Sequence, residues 1–109
     1  MIIFTTNNKG EMMKLMTKEI QKKLPKLYSQ EDNSNPTIQV KFFCPWNQWT
    51  WYGIEYDGKD TFFGYVIGHE KEYGYFTLSE LKSVKGFMGL GIERDLHFKP
   101  KPIKEIINN

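Results

Sequence analysis

The stretch TIQVKFFCPWNQWTWYGIEYDGKDTFFGYVIGHEKEYGYFTL (37–78) decides the fold. Its apolar residues recur with period two, the mark of strands, because successive side chains of an extended chain point to opposite faces. TIQVKFF (37–43) sets Ile38, Val40 and Phe42 against Gln39, Lys41 and Phe43. CPWNQ (44–48) is a turn. WTWYGIEY (49–56) is a strand with Trp49, Trp51, Gly53 and Glu55 on one face and Thr50, Tyr52, Ile54 and Tyr56 on the other. Asp57-Gly58 predicts a type I′ hairpin turn, whose two central positions need positive φ. TFFGYVI (61–67) returns antiparallel, GHEKE (68–72) turns, and YGYFTL (73–78) is a third short strand.

Outward from this block, the periods lengthen. On the N-terminal side, Thr17 is an N-cap for a helix over Lys18–Leu24, with Ile20, Leu24 and Leu27 as its apolar stripe. Pro25 cannot continue the hydrogen-bond ladder and ends it. SQEDNSNP (29–36) is a polar loop. On the C-terminal side, Thr77-x-x-Glu80 is a capping box that opens a helix over Ser79–Val84, with Leu78, Leu81 and Val84 facing the sheet. GFMGLG (86–91) is a loop and IERDLHF (92–98) alternates as a last strand. KPKP stops that strand and IKEII (103–107) is a frayed helical turn. The sum is one α+β domain over 12–109: an antiparallel meander of four or five strands with short helices on one face. Residues 1–11 are an N-terminal extension or an edge strand.

Composition narrows the function classes. The chain has 109 residues, 26% charged and 16% aromatic, with a net charge of +2. That fits a folded domain and falls short of the strongly basic balance of a dedicated nucleic-acid domain. No apolar run approaches the ~20 residues of a membrane span. A single cysteine, Cys44, excludes a disulfide scaffold. MIIFTTNNKGEMMK (1–14) lacks the form of a signal peptide, so a cytoplasmic location is expected.

The motifs then resemble one bacterial family. Trp49-x-Trp51-Tyr52, FFGYV (62–66), GYFTLSEL (74–81) and ERDL-x-F (93–98), with LMTKEIQKKLPKLYSQED (15–32), are together similar to the domain-of-unknown-function family numbered two thousand nine hundred and fifty-eight. The likeness runs from about residue 12 to 105. It implies a setting on plasmids, phages and other mobile elements, beside genes of DNA maintenance and anti-restriction. This family often has Tyr where the chain has His97, which argues against an essential imidazole there.

Four groups of side chains compete as sites. Thirteen aromatic residues lie between Phe42 and Phe76, too many for one core. Phe42, Tyr52, Ile54, Phe63, Tyr65 and Phe76 are assigned to the buried face. Trp46, Trp49 and Trp51, with Glu55 continuing their row, are then a partner-binding surface, since Trp and Tyr dominate interface hot spots. The competing reading puts these rings in the core and in a small cluster under the 86–91 loop. Lys14, Lys18 and Lys22, with Lys23 and Lys26 nearby, form a basic face that can meet phosphates but is more often a solvated helix face. Glu93, Arg94, Asp95 and His97 form a polar group in which Glu93, Asp95 and His97 share a strand face; one imidazole with two acids is a weak metal or acid–base signature. Glu55, Asp57 and Asp60 flank the hairpin, where turn geometry explains the Asp-Gly pair.

Cys44 has no neighbouring His, His69 lies in a polar turn, and GFMGLG is not a dinucleotide loop. No cofactor and no metal are expected. The leading expectation is a non-enzymatic binding protein of a mobile element. Its partner would be a protein of host DNA defence such as a CRISPR or restriction nuclease, and a homodimer could also cover the aromatic face. The alternatives are a binder of nucleotides or single-stranded nucleic acid, and, last, an enzyme using Glu93, Asp95 and His97. An aromatic patch without basic neighbours would favour a protein partner; a basic rim would favour nucleic acid.

Overall fold

A computed structural model describes residues 14–108. The expectation for residues 1–11 lies outside them. The elements in chain order are α1 (Lys18–Lys23), β1 (Thr37–Ile38), β2 (Val40–Phe43), β3 (Thr50–Tyr56), β4 (Thr61–Ile67), β5 (Lys71–Thr77), α2 (Leu78–Ser83), β6 (Glu93–Arg94), β7 (Lys101–Pro102) and α3 (Lys104–Ile107). Five strands form one antiparallel sheet in the order β5-β4-β3-β2-β6, and β1 pairs with β7 in a small ribbon. The class is α+β, as the alternation predicts.

The starts of α1 and α2 are set by side chains read from the sequence. The Thr17 hydroxyl accepts from the Ile20 amide at 3.1 Å. Thr77 and Glu80 form the full capping box. Asp60 adds to the second start, accepting from the Ser79 amide and hydroxyl at 2.8 and 2.7 Å.

Each sheet face has its own core, where one buried face was expected. On the first face, α1 and α2 cover Val40, Phe42, Tyr56, Phe62 and Phe76, with Leu24, Leu78 and Leu81 inserted between. Phe62 stacks on Phe76 at 4.9 Å and 12° and meets Phe42 edge-on. On the second face, Ile38 and Ile103 pack with Tyr52, Ile54 and Tyr65, helped by Phe98 and Ile106. The second cover is short. It protects the β3 centre and leaves the end of β4 and β5 open.

Three local expectations are corrected. TIQVKFF is two strands, because Ile38 turns toward the second core and pairs with Lys101, while Val40 opens the main-sheet strand. The β3–β4 connection is a four-residue loop, not a type I′ turn. Asp57 pairs its backbone with Thr61 at 2.9 Å, and within Asp57-Gly58 only the glycine has positive φ. IERDLHF pairs only at Glu93 and Arg94 before the chain turns at 96–97. An Asx interaction ends it: the Asp95 carboxylate accepts from the His97 amide at 2.9 Å.

Candidate functional site: two grooves flanking an edge strand

Residue parity along β3 locates the site. Pairing runs in register from Thr50–Ile67 to Gly53–Gly64, then shifts between Gly53 and Glu55. This bulge inserts one residue. Ile54 and Glu55 therefore both serve the second face, and Tyr56 rejoins Phe62 and Phe76 on the first. The expectation that Glu55 continues the Trp49–Trp51 row is corrected accordingly. Its carboxylate is 3% exposed. Oε1 accepts from the Tyr28 amide at 2.8 Å and Oε2 from the Gln30 amide at 2.7 Å. Glu55 thus pins the turn after α1 against the sheet and is no contact residue on the tryptophan surface.

That pinned turn walls the first groove. Tyr28 has φ of 70°, a left-handed conformation that a bulky residue rarely adopts. The two hydrogen bonds to Glu55 hold it there, and its ring stands 60% exposed beside Tyr75 at 6.4 Å. Tyr75 in turn meets Phe63 at 5.1 Å, and Phe63 stacks parallel to Tyr73 at 5.9 Å. Tyr73 and Tyr75 are 46% and 55% exposed. Together with Ile54, Glu31 and Glu55 these rings line a cavity of about 420 Å³. The Tyr75 phenol is held above its ordinary value, first by loss of hydration, then by hydrogen bonding with Tyr28 and by the negative charge of Glu55 and Glu31. Loss of hydration, with a smaller contribution from Tyr65, raises Tyr73 as well.

The second groove lies across β5 on the first face. Trp49 and Trp51 pack against each other at 5.8 Å and wall a cavity of about 360 Å³ with Glu72, Glu80 and Val84, and Tyr73 and Tyr75 border this cavity as well as the first. Both tryptophans are half-buried on the first core. Glycines seat them. A Cβ at Gly68 would lie 2.4 Å from the Trp49 ring, and one at Gly86 would lie 2.6 Å from Trp46. His69 meets Trp49 edge-on at 5.3 Å. Trp46, 39% exposed, covers the start of the 86–91 loop. So all three tryptophans keep some exposure, and all three also have a packing role.

The other sequence candidates do not converge. Arg94 donates to the Lys14 carbonyl, and loss of hydration lowers its pKa. Asp95 pairs with Lys41 at 3.6 Å. His97 is exposed in the 96–97 turn, so Glu93, Asp95 and His97 do not share one strand face. Asp57 is the acceptor for three loop amides, of Lys59, Asp60 and Thr61, and those bonds lower its pKa. No group of three or more His, Cys, Asp or Glu that could hold a metal ion occurs among the described residues. Cys44 is buried, and its amide donates to the Trp49 carbonyl, closing the CPWNQ turn. Lys14, Lys18 and Lys22 are exposed, while Ile20 and Leu24 carry α1 onto the core. Among the described residues, no helix is long and apolar enough to cross a membrane.

Sequence reasoning missed the tyrosine groove. Its signal was Tyr73-Gly74-Tyr75 in the last meander strand, which the sheet order places at an edge.

The fold and its grooves define a small α+β protein with aromatic surfaces on both sides of one edge strand. The chain belongs to the family described as protein of unknown function (DUF2958), whose model matches residues 10–106. No curated protein and no solved structure matches it.

Proposed function

We propose that this chain is a non-enzymatic binding protein that engages a protein partner through the aromatic surface flanking β5. One observation carries the reading: neither groove has Lys or Arg among its lining residues, and each has two glutamates, Glu31 and Glu55 in one and Glu72 and Glu80 in the other. A nucleic-acid surface needs cations against phosphate. Exposed rings without them fit a protein hot spot, where a few large side chains supply most of the affinity. The edge strand strengthens this reading, since β5 pairs with β4 on one side only and its outer edge lies between the grooves.

The resemblance to a family of mobile elements supplies the partner class. We propose a component of host DNA defence, such as a CRISPR or restriction nuclease, which a rigid domain of this size can block by covering one surface. The test uses affinity capture from host cells with the tagged full chain, comparing wild type with a Tyr73→Ala/Tyr75→Ala double variant. Loss of one defined protein band from the variant, with its thermal unfolding unchanged, is the expected result. Capture of nucleic acid alone, removed by nuclease treatment, would overturn the proposal.

A further inference from the structure

We propose that the tyrosine groove receives the guanidinium of an arginine side chain presented by the partner; this deepens the reading above and rests on it. Three observations converge on a cation. The first is Glu55, a carboxylate 3% exposed that lines the cavity. Two amides satisfy its oxygens, yet no Lys, Arg or His among the described residues forms an ion pair with it. A buried charge without a counter-charge is costly, and a cation arriving at the groove offsets that cost.

The second is Glu31 in the same lining, which contains no Lys, Arg or His. The Tyr75 phenol is raised chiefly by loss of hydration and by Tyr28, and the negative charge of Glu55 and Glu31 adds to this. An anion would be repelled from this position.

The third is the wall itself. Phe63, Tyr73, Tyr75 and Tyr28 present ring faces and edges around about 420 Å³, room for one long side chain. Ring faces attract cations, and a guanidinium does this well because it is planar, weakly hydrated and stacks on aromatics. Tyr28 completes the wall only because its φ of 70° turns the ring toward Tyr75 while Glu55 holds its amide. The buried carboxylate therefore both builds the groove and charges it.

The probe is N-acetyl-arginine methylamide added to the full chain and followed by NMR. N-acetyl-citrulline methylamide, a neutral mimic of similar shape, is the control. Saturable shifts of the Tyr28, Phe63 and Tyr75 rings with arginine, and binding about tenfold weaker with citrulline, are expected. Glu31→Gln should weaken the arginine response severalfold, as should added salt. Tyr75→Leu should abolish it while leaving the dispersed spectrum of a folded chain. Equal responses to arginine and citrulline, an absence of saturation, or a response that survives Tyr75→Leu would overturn the assignment. If those results came with partner capture still lost in Tyr73→Ala/Tyr75→Ala, the protein-binding reading would stand and only the arginine would fall.

Discussion

The tryptophan groove and the tyrosine groove lie on opposite sides of one strand and are built in opposite ways. Trp49 and Trp51 lean on the core and on Gly68, so their rings belong partly to the fold. Tyr28, Tyr73 and Tyr75 stand about half exposed or more, and only a turn pinned by Glu55 encloses them. Aromatic content therefore does not locate a binding surface by itself. What distinguishes the two regions is how much of each ring the fold already uses.

Breaking the tryptophan side should have the largest effect. Trp51→Ala removes a half-buried indole from the first core and should lower stability by about 3 kcal/mol, read as a fall in Tm of more than about 10 °C. A fall comparable to that of a surface substitution would erase the contrast. Next is Glu55→Ala. It strands the Tyr28 and Gln30 amides and should cost about 2–3 kcal/mol, with loss of amide protection at 28–30 in hydrogen exchange.

Asp57 is a useful control because it touches neither groove. Its folded pKa lies below the unfolded value, so its contribution is present above the unfolded pKa and is lost as pH falls through the folded one. Asp57→Asn should thus flatten the acid limb of the stability curve below pH ~4, by a small amount because solvent screens this exposed carboxylate. An acid limb unchanged in the variant would assign it to other carboxylates. The smallest effect is expected on the tyrosine side: Tyr73→Ala and Tyr75→Ala should each leave Tm within about 3 °C of wild type.

Much of the scaffold was legible from the sequence for identifiable reasons. The Thr17 and Thr77 caps are local hydrogen-bond devices and act where they are written. The strands of 50–56 and 61–67 follow period two because each serves covered faces. Glu55 was misplaced because alternation fixes a face only while pairing stays in register, and the bulge after Gly53 leaves no compositional mark. IERDLHF looked like a strand by the same alternation, but Asp95 captures the His97 amide and turns the chain. The tyrosine groove was illegible because it joins residues 28 and 75, whose meeting depends on where Glu55 points.

We propose that partner contact falls on the tyrosine side of β5, while the tryptophan side chiefly holds the fold. The most direct test captures partner from host cells with wild type and with Tyr73→Ala/Tyr75→Ala, each normalised to the folded fraction. Wild-type folding with capture reduced at least about tenfold is the expected result, since a few large rings supply most of the affinity at a protein hot spot. Undiminished capture by this folded double variant would contradict it and return the interaction surface to Trp46, Trp49 and Trp51.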